Sequence, residues 1–290
     1  MKNPLVSVIM PVYNGANTIK VALQSLLAQS YSNWECIIVN DGSTDNTIHI
    51  LQAYNDNRIR IVNLERNKGR GKARNEALQH CTGEYLCFLD ADDFLHPDKL
   101  KKQVSTLQEG NCSMVGCAVI KFDENCKANL SAGYNNIGIR KHKDGKKLPL
   151  FLPTVMIKRD LCIEYSYNLK LDVGEDYDFL SRCIDGFKYT NLLEPLYFYR
   201  VDNTTRSKLL YYTKENIRSG FYLSKRNLVA GIEMMASSSV KYLIYFFWSL
   251  IVDTKTILNR RGNIVTSQEM NLFNEIYNTL IFVDSERVKI

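Results

Sequence analysis

The segment Gly83–Asp93 (GEYLCFLDADD) joins a short apolar stretch to three closely spaced carboxylates. The stretch Tyr85–Leu89 is typical of a buried strand, and Asp90, Asp92 and Asp93 follow it directly. Carboxylates packed this tightly repel one another, and burying them is costly unless another group compensates their charge. A divalent cation would do so, because carboxylate oxygens are ligands that Mg²⁺ and Mn²⁺ prefer. The segment therefore predicts either a metal site or a solvated turn that leads into the next helix.

Strand and helix patterns alternate through the first 120 residues. Strands are predicted over 5–12, 34–40, 58–64, 84–89 and 113–120, and helices over about 17–29, 44–54, 72–80 and 97–108. This alternation predicts an α/β fold with a mostly parallel sheet flanked by helices on both faces. The polar and basic segment 123–147 is expected to be either a long mobile insertion over the cleft or a plain surface loop. From residue 211 onward the sequence is helical in its period.

The ends of successive predicted strands carry polar clusters. These are Pro11–Asn14, Asp41–Asp45, Asn67–Asn75 and Asp90–Asp93, and Glu175–Asp176 follows in the second part of the chain. In a doubly wound sheet the carboxyl ends of the strands converge on one crevice, so the first four clusters are expected to be neighbours. Taken alone, each cluster also fits a turn or a helix cap.

The residue types in these clusters suit a nucleotide. The carboxylate of Asp41 can accept a hydrogen bond from a uracil imide or a ribose hydroxyl, and Tyr13 can stack on a base. Arg70, Lys72 and Arg74 enter a helix after two glycines, where basic side chains and a helix N-terminus together suit a phosphate. Neither GxxxxGK[ST] nor GxGxxG occurs, so the sequence supports neither P-loop chemistry nor a dinucleotide fingerprint.

Composition narrows the possible partners. The 290 residues carry a net charge of +6 with a pI near 8.8, which suits a diphosphate-bearing substrate or an anionic membrane surface. The positive charge is too weak and too dispersed to indicate nucleic acid. The eight cysteines form no CxxC pair, and the four histidines lack zinc-ligand spacing. The sequence shows no secretory signal. Together these features predict a cytoplasmic protein with reduced thiols. The apolar run Tyr242–Val252 is too short to span a bilayer.

Five strings in this order resemble family-2 glycosyltransferases of the GT-A fold. They are VSVIMPVYNG, ECIIVNDGSTDNT, NKGRGKARNEAL, GEYLCFLDADD and GEDYDF, with YFYR (Tyr197–Arg200) as a weaker sixth. The resemblance implies transfer of a sugar, usually from a UDP-sugar, to an acceptor hydroxyl with inversion. It implies a saccharide or lipid-linked saccharide acceptor in the synthesis of capsule, exopolysaccharide or lipopolysaccharide.

The resemblance also implies residue roles. Asp41 would bind the nucleoside, with Pro11 and Tyr13 lining the base pocket. Asp90-Ala91-Asp92 would be the DxD motif that holds Mn²⁺ or Mg²⁺, with Asp92 as the direct ligand. The remaining assignments are Lys72 or Arg74 near the diphosphate, Asp176 as the catalytic base, Glu175 beside it at the acceptor, and Arg200 on the donor side.

The resemblance is close over residues 5–120, fair from 152 to about 206, and absent beyond. It implies a GT-A domain over residues 1–206, with a donor half (1–120) and an acceptor half (121–206), and a helical extension over 207–290. After Tyr199–Arg200 many relatives carry a histidine, which the string Val201–Ser207 lacks. Arg200 and Arg206 are the candidates to replace it.

Two alternatives stay open for the function and two for the C-terminal region. A catalytically silent GT-A domain that serves as a binding or assembly subunit, and a sugar nucleotidyltransferase, would carry similar clusters. The segment Lys241–Arg261 is either an interfacial helix on the cytoplasmic face of the inner membrane or a helix packed on the catalytic domain or a homodimer partner. Packing is favoured, because the apolar residues surround this helix rather than forming a stripe.

Overall fold

The computed structural model describes residues 3–133, 138–143, 148, 150–201, 205–248 and 263–287. The strands of this part are β1 (Val6–Val12), β2 (Trp34–Asn40), β3 (Ile59–Asn63), β4 (Tyr85–Phe88), β5 (Phe94–Leu95), β6 (Met114–Phe122), β7 (Ala128–Ala132), β8 (Arg140–Lys141), β9 (Met156–Lys158), β10 (Lys188–Arg200) and β11 (Asn263–Ile264). The α-helices are α1 (Ile19–Leu27), α2 (Thr47–Gln52), α3 (Arg70–Leu78), α4 (Lys99–Glu109), α5 (Glu175–Cys183), α6 (Arg206–Ser224), α7 (Leu228–Trp248) and α8 (Ser267–Arg287). Short 3₁₀ turns lie at Leu152–Thr154 and Arg159–Leu161.

The sheet is mixed and largely parallel at its centre. Its main strand order is β11-β7-β6-β9-β4-β1-β2-β3. Strand β1 pairs in parallel with β2 and β4, and β2 pairs in parallel with β3. The short strand β9 lies antiparallel between β4 and β6, while β10 runs parallel to β6. The predicted α/β fold with a mostly parallel sheet is therefore confirmed.

The central strands carry apolar side chains on both faces, so helices cover both faces of the sheet. Val8 and Met10 belong to one core cluster, together with α1 and α4 residues such as Leu23 and Leu100. Ile9 belongs to the other cluster, which includes residues of α3 and α5. Side chains of a strand alternate between its faces, so burial of both sets requires helices on both sides. The prediction of flanking helices is confirmed.

The structure corrects the prediction for segment 123–147. Within its described part, Ala128–Ala132 form β7, which pairs antiparallel with β6, and Arg140–Lys141 pair with β10. Residues 128–132 are therefore part of the sheet and not a loop. Residues 134–137 and 144–147 lie outside the described residues. Strands β9 and most of β10 were not predicted by the alternation pattern, because Glu194 and Pro195 interrupt the apolar run of β10.

The C-terminal region is helical, as predicted, and its last helix packs on the sheet. Phe273 of α8 is fully buried, with its ring centroid 5.6 Å from that of Phe94 and 5.8 Å from that of Phe198. None of the helices in the described residues is both long and apolar enough to cross a membrane. Of the predicted interfacial segment, 241–248 belong to α7, while 249–261 lie outside the described residues. The boundary between residues 206 and 207 stays a prediction.

Helix α7 buries small residues and exposes apolar ones. Gly231 and Ser238 are buried on the α7 side that faces α6. The opposite side carries exposed apolar side chains at a spacing of three, four, four, three and four residues: Val229, Ile232, Ala236, Val240, Leu243 and Phe247. This spacing describes a stripe along the helix. Over 241–248, the exposed apolar side chains of Ile244, Phe246 and Trp248 lie outside this stripe, which agrees with the expectation of apolar residues all round this segment.

A substitution at Gly42 tests how tightly the loops at the strand ends are packed. Gly42 has φ +67°, and a Cβ there would lie 2.4 Å from the carbonyl carbon of Arg66. We expect Gly42→Ala to lower the free energy of unfolding by about 2–4 kcal/mol in urea denaturation, because backbone strain and overlap add. Gly186 is the control, since it has φ +78° but no atom within 4 Å of a Cβ. Equal losses in Gly42→Ala and Gly186→Ala would contradict this packing.

Candidate active site

The loops after β1 and β2 are tied to each other by side chain to backbone hydrogen bonds. Asn14 has φ +50°, a conformation that asparagine tolerates better than most residues. Its N–H donates to Ser43 Oγ (2.9 Å), and its Oδ1 accepts from the Thr44 N–H (2.8 Å). The Gly15 N–H donates to Thr47 Oγ1 at 2.9 Å. The two loops therefore form one wall with little freedom to move separately.

Asp41 connects this wall to the loop after β3. Its side chain is buried, and its two carboxylate oxygens accept hydrogen bonds from the Lys68 N–H (2.7 Å) and the Gly69 N–H (2.9 Å). Its own N–H donates to Val12 O at the end of β1 (2.8 Å). Asp41 thus orders three strand ends at one edge of the sheet. Asp41 can serve both as a turn residue and as a ligand-binding residue, since it also lines the cavity described next.

A cavity of about 540 Å³ opens at this edge of the sheet. This volume lies within the range usual for small-molecule sites. Several predicted donor and metal residues line it: Pro11, Tyr13, Asp41, Asp90, Asp92 and Arg200. Arg70 and Tyr199 line it as well. Tyr13 is about half exposed, so its ring is available to a ligand.

The three neighbouring acids of the DADD string have different environments. Asp92 is exposed at the cavity, whereas Asp93 is fully buried. Asp93 accepts hydrogen bonds from the Tyr197 hydroxyl (2.7 Å) and the Arg200 N–H (2.7 Å). Burial, followed by the charges of Asp92 and Asp90, raises the pKa of Asp93 well above its usual range. Asp93 therefore fixes the end of β10 against the end of β4, and the Tyr197–Asp93 pair was not predicted from the sequence.

A single guanidinium joins Asp90 to the acidic pair of α5. Arg74 Nη2 lies 2.9 Å from Asp90 Oδ1, while Arg74 Nη1 lies 2.6 Å from Asp176 Oδ1 and 3.0 Å from Glu175 Oε1. The side chains of Arg74 and Glu175 are each only 4% exposed, while those of Asp90 and Asp176 are about one quarter exposed. The resemblance suggested that Arg74 approaches a diphosphate, but its Nη atoms face carboxylates.

The first turn of α5 is rich in acidic residues, and their environment raises the pKa of Asp176. Gly174 has φ +80° and precedes the helix, whose first turn contains Glu175, Asp176 and Asp178. Acids are favoured there because the N-terminus of a helix carries partial positive charge. Burial raises the pKa of Asp176 to about 6, with Arg74 opposing the rise and the charges of Glu175 and Asp90 adding to it. A carboxyl of this kind can exchange a proton near neutral pH.

Four predicted residues lie beside the cavity rather than in its lining: Lys72, Arg74, Glu175 and Asp176. Lys72 and Glu175 border a neighbouring hollow of about 90 Å³, together with Arg70. Asp176 is connected to the cavity through the Arg74 contact with Asp90. Arg70 Nη2 also lies 3.2 Å from Glu175 Oε1, so this residue borders both spaces. The sequence signal for Arg70 was its place directly after Gly69 at a strand end.

The carboxylates at the cavity suit a divalent cation that is bound mainly by substrate phosphates and water. Among the described residues, no group of three or more His, Cys, Asp or Glu side chains is arranged to hold a metal ion. Asp92 offers carboxylate oxygens to the cavity, and Asp90 lines the same space with one oxygen held by Arg74. Mg²⁺ sites of this chemistry often use one or two carboxylates together with substrate phosphates and water. The residues present fit such a site.

Comparison with protein families decides the relationship. The model of the family described as Glycosyl transferase family 2 matches residues 7–164, which is more than half of the chain. The chain belongs to glycosyltransferase family 2. The matched range contains the loops after β1 to β4 and therefore all residues of the cavity except Tyr199 and Arg200.

Two similar proteins come from bacteria. TuaG of Bacillus subtilis (strain 168), which is named as a glycosyltransferase of teichuronic acid biosynthesis, is 49% identical over 112 residues, or 38% of this chain and 44% of TuaG. The UDP-Glc:alpha-D-GlcNAc-diphosphoundecaprenol beta-1,3-glucosyltransferase WfgD of Escherichia coli is 40% identical over 115 residues, or 40% of this chain and 46% of WfgD. The chain therefore matches less than half the length of these two relatives.

Solved structures share the fold at low identity. S. aureus TarS 1–349 in complex with UDP-GlcNAc has a TM-score of 0.60 and 20% identity, covering 93% of this chain and 80% of TarS 1–349. The mannosyltransferase PcManGT from Pyrobaculum calidifontis, in complex with GDP-Man and Mn²⁺, has a TM-score of 0.57 and 16% identity, covering 97% of this chain and 88% of PcManGT. These likenesses confirm the predicted GT-A type of fold.

The environment of Asp176 predicts an unusual carboxyl titration. We expect ¹³C-detected NMR to show one carboxyl group with a midpoint near pH 6, and we expect this signal to be absent from Asp176→Asn. Glu175→Gln should move the midpoint to lower pH, because it removes a neighbouring negative charge. Glu109→Gln, on an exposed helix end, is the control that should leave it unchanged. A midpoint near 4 would contradict the desolvated setting of Asp176.

Proposed function

We propose that this protein is a metal-dependent, inverting glycosyltransferase that moves a sugar from a UDP-sugar to an acceptor hydroxyl. One observation carries the proposal. Asp41 and Asp92 line the same cavity, and Arg74 connects Asp90 in that cavity to Asp176. A nucleoside-binding acid, a metal-binding acid and a base with a raised pKa are thereby grouped as the reaction needs them.

The nucleotide is held by the walls of the cavity. The Tyr13 ring and Pro11 pack against the base, and Asp41 accepts a hydrogen bond from the nucleoside while its backbone contacts hold it in place. Arg70 and Arg200 face the diphosphate from the cavity lining. Lys72 borders the adjoining hollow and contributes positive charge there. The TarS complex with UDP-GlcNAc supports a donor of this class, since the two folds are alike.

Asp92, with Asp90, would hold Mn²⁺ or Mg²⁺, which stabilises the negative charge that develops on the departing diphosphate. The PcManGT complex with Mn²⁺ supports a divalent cation in proteins of this fold. Arg74 contacts one oxygen of Asp90, and Asp92 is the more exposed of the two acids, so the direct metal contact is assigned to Asp92. The chain itself therefore contributes few metal ligands, and binding of cation and donor should be mutually dependent.

Asp176 acts as the base. Its carboxylate takes the proton of the acceptor hydroxyl as that oxygen attacks the anomeric carbon, and the bond to the UDP oxygen breaks on the opposite side. A single displacement inverts the anomeric centre, so an α-linked donor gives a β-linked product. A positioned base of this kind supplies about 10²–10⁴-fold in rate. Glu175, fixed by Arg74 and Arg70, lies at the acceptor side of the site.

The acceptor is proposed to be a saccharide or lipid-linked saccharide of a cell-surface polymer such as capsule, exopolysaccharide or lipopolysaccharide. The names of TuaG and WfgD support this class, and the WfgD acceptor is linked to a diphosphate lipid. The donor half (1–120), acceptor half (121–206) and helical extension (207–290) remain the proposed division of labour. The protein is proposed to be cytoplasmic and peripheral on the inner face of the membrane.

Product analysis with a donor panel tests the proposed reaction. We expect UDP to be released from one UDP-sugar in the presence of Mn²⁺ or Mg²⁺ and an acceptor extract. Pyrophosphate as the product would indicate a nucleotidyltransferase instead. Absence of turnover with UDP-, GDP- and dTDP-sugars would indicate a catalytically silent binding subunit.

Two variants separate the roles in this reaction. Asp92→Ala should remove the metal-dependent part of UDP binding in calorimetry. Asp176→Asn should leave the UDP Kd within about threefold while kcat falls about 10²–10⁴-fold, because only proton removal is lost. Glu109→Gln serves again as the control. Equal loss of binding and turnover in Asp176→Asn would rule out its assignment as the base.

The exposed stripe of α7 is proposed to contact an anionic membrane surface. Five basic side chains of residues 205–248 are exposed, against one exposed acid, Glu233; the bases are Lys208, Lys214, Arg218, Lys225 and Lys241. An exposed apolar helix face and exposed basic side chains on the same helical pair together suit the interface of an anionic leaflet. Helix α6 also contacts the segment before α5, since the Ser219 hydroxyl donates to Val173 O at 2.6 Å. The helical pair thus adjoins the acceptor side of the site.

Vesicle binding tests this contact. We expect the protein to sediment with vesicles that contain an anionic phospholipid, and to do so less with neutral vesicles. The double variant Leu243→Glu, Phe247→Glu should reduce the binding at least about tenfold. It removes two apolar side chains and adds two negative charges, which anionic lipids repel. Gln52→Glu with Asn57→Glu is the matched control for added charge on exposed positions. Unchanged sedimentation would contradict the membrane contact, and a switch from dimer to monomer without a vesicle effect would assign the stripe to a second copy.

A further inference from the structure

Arg74 lies between Asp90 and the two acids that begin α5. It belongs to α3, which follows β3, whereas Asp90 follows β4 and Glu175 and Asp176 begin α5. One nitrogen of its planar guanidinium contacts Asp90, and the other contacts both acids of α5. A fork of this geometry can hold carboxylates on two sides at fixed distances, which a single ammonium cannot do.

The surroundings of Arg74 are wrong for a phosphate ligand. The guanidinium is almost completely buried, and it does not belong to the lining of the cavity. A phosphate next to it would also lie next to Asp90, Glu175 and Asp176, whose negative charge repels it. Arg70 and Arg200 do line the cavity, and of these three acids Arg70 contacts Glu175, with Nη2 3.2 Å from Oε1.

Hydrogen bonds and ring packing hold the part of α3 that carries Arg74 in place. The neighbouring Asn75 side chain donates to Tyr167 O (3.0 Å) and accepts from the Tyr167 N–H (2.7 Å). The Tyr167 ring stacks on Phe179 of α5 with 4.2 Å between centroids, and the Arg74 guanidinium carbon lies 5.6 Å from the Tyr167 ring centroid. Helix α3 is therefore fixed to the segment before α5 on the same side as the ion pairs.

We propose that Arg74 is a positioning residue that sets the spacing between the donor-side carboxylate Asp90 and the base Asp176, and not a ligand of the diphosphate. The inference rests on the proposed function, because the spacing matters only for an in-line displacement between a metal-bound leaving group and a base. In such reactions a misplacement of about 1 Å lowers the rate about 10²-fold. The role is orientation of acidic groups across the cleft, with the diphosphate left to Arg70 and Arg200.

The test compares turnover with nucleotide binding in Arg74→Lys. The variant keeps the positive charge but loses the fork. We expect kcat to fall about 10²-fold, while the Kd for UDP with Mn²⁺, measured by calorimetry, changes less than about threefold. Arg60→Gln, an exposed position on β3, is the control and should change neither. The proposal is supported if kcat falls at least about ten times more than UDP affinity, and any smaller difference overturns it.

A second variant leaves all charges in place. Asn75→Ala removes the two hydrogen bonds to Tyr167 and should produce the same split between kcat and UDP binding at a smaller size, about tenfold. It decides the question if Arg74→Lys does not fold. A loss of UDP affinity equal to the loss of kcat in Asn75→Ala would overturn the proposal.

Thermal denaturation separates this inference from the proposed function. Arg74→Gln leaves the acids without their counter-charge and should lower Tm by roughly 5 °C or more. Adding Glu175→Gln should restore part of the loss, because one of the repelling charges is removed. If the wild type transfers no sugar, the proposed reaction fails, yet this recovery still reports the bridge. Additive Tm losses in the double variant would show that Arg74 does not hold the acids together.

Discussion

The parallel pairing of β1 with β2 and β4 is the constraint on which the site depends. Val6 lies opposite Trp34 in one neighbour and opposite Tyr85 in the other, so all three strands end at the same edge of the sheet. This register keeps Val8 and Met10 in one core cluster and Ile9 in the other, so each side chain set packs against its own layer of helices. The apolar core therefore determines where the acidic loops lie, although none of its residues takes part in chemistry.

The three acids after β4 show how one short string can meet three different requirements. Asp93 is buried and takes two hydrogen bonds from β10, which compensates its removal from water. Asp90 is half withdrawn from solvent and shares Arg74 with the acids of α5. Asp92 stays exposed to the cavity. The charges of Asp92 and Asp90 still act on Asp93, whose pKa they help to raise, and both Asp90 and Asp92 line the cavity.

The sequence was most informative where structure is local. Strands β1 to β4 and their helices follow from apolar alternation and from turn and cap residues within a few positions. The long strand β10 could not be predicted, because Asn191, Glu194 and Pro195 interrupt its pattern and its pairing with β6 is a tertiary contact. The contacts of Arg74 join residues about 100 positions apart, so no spacing rule reveals them. These contacts with Glu175 and Asp176 could therefore not enter the prediction that Lys72 or Arg74 approaches the diphosphate.

The irregular pairing of β10 has a consequence for how the protein can vary. Its register against β6 shifts between Leu192 and Pro195 and again before Tyr197. Bulges of this kind take up extra residues locally, so that the ladder beyond them resumes in register. A change of length near Leu192–Pro195 can therefore be taken up locally while the Tyr197 hydroxyl keeps its place beside Asp93. Changes of length at this irregularity are thus separated from the end of β10 that lines the cavity.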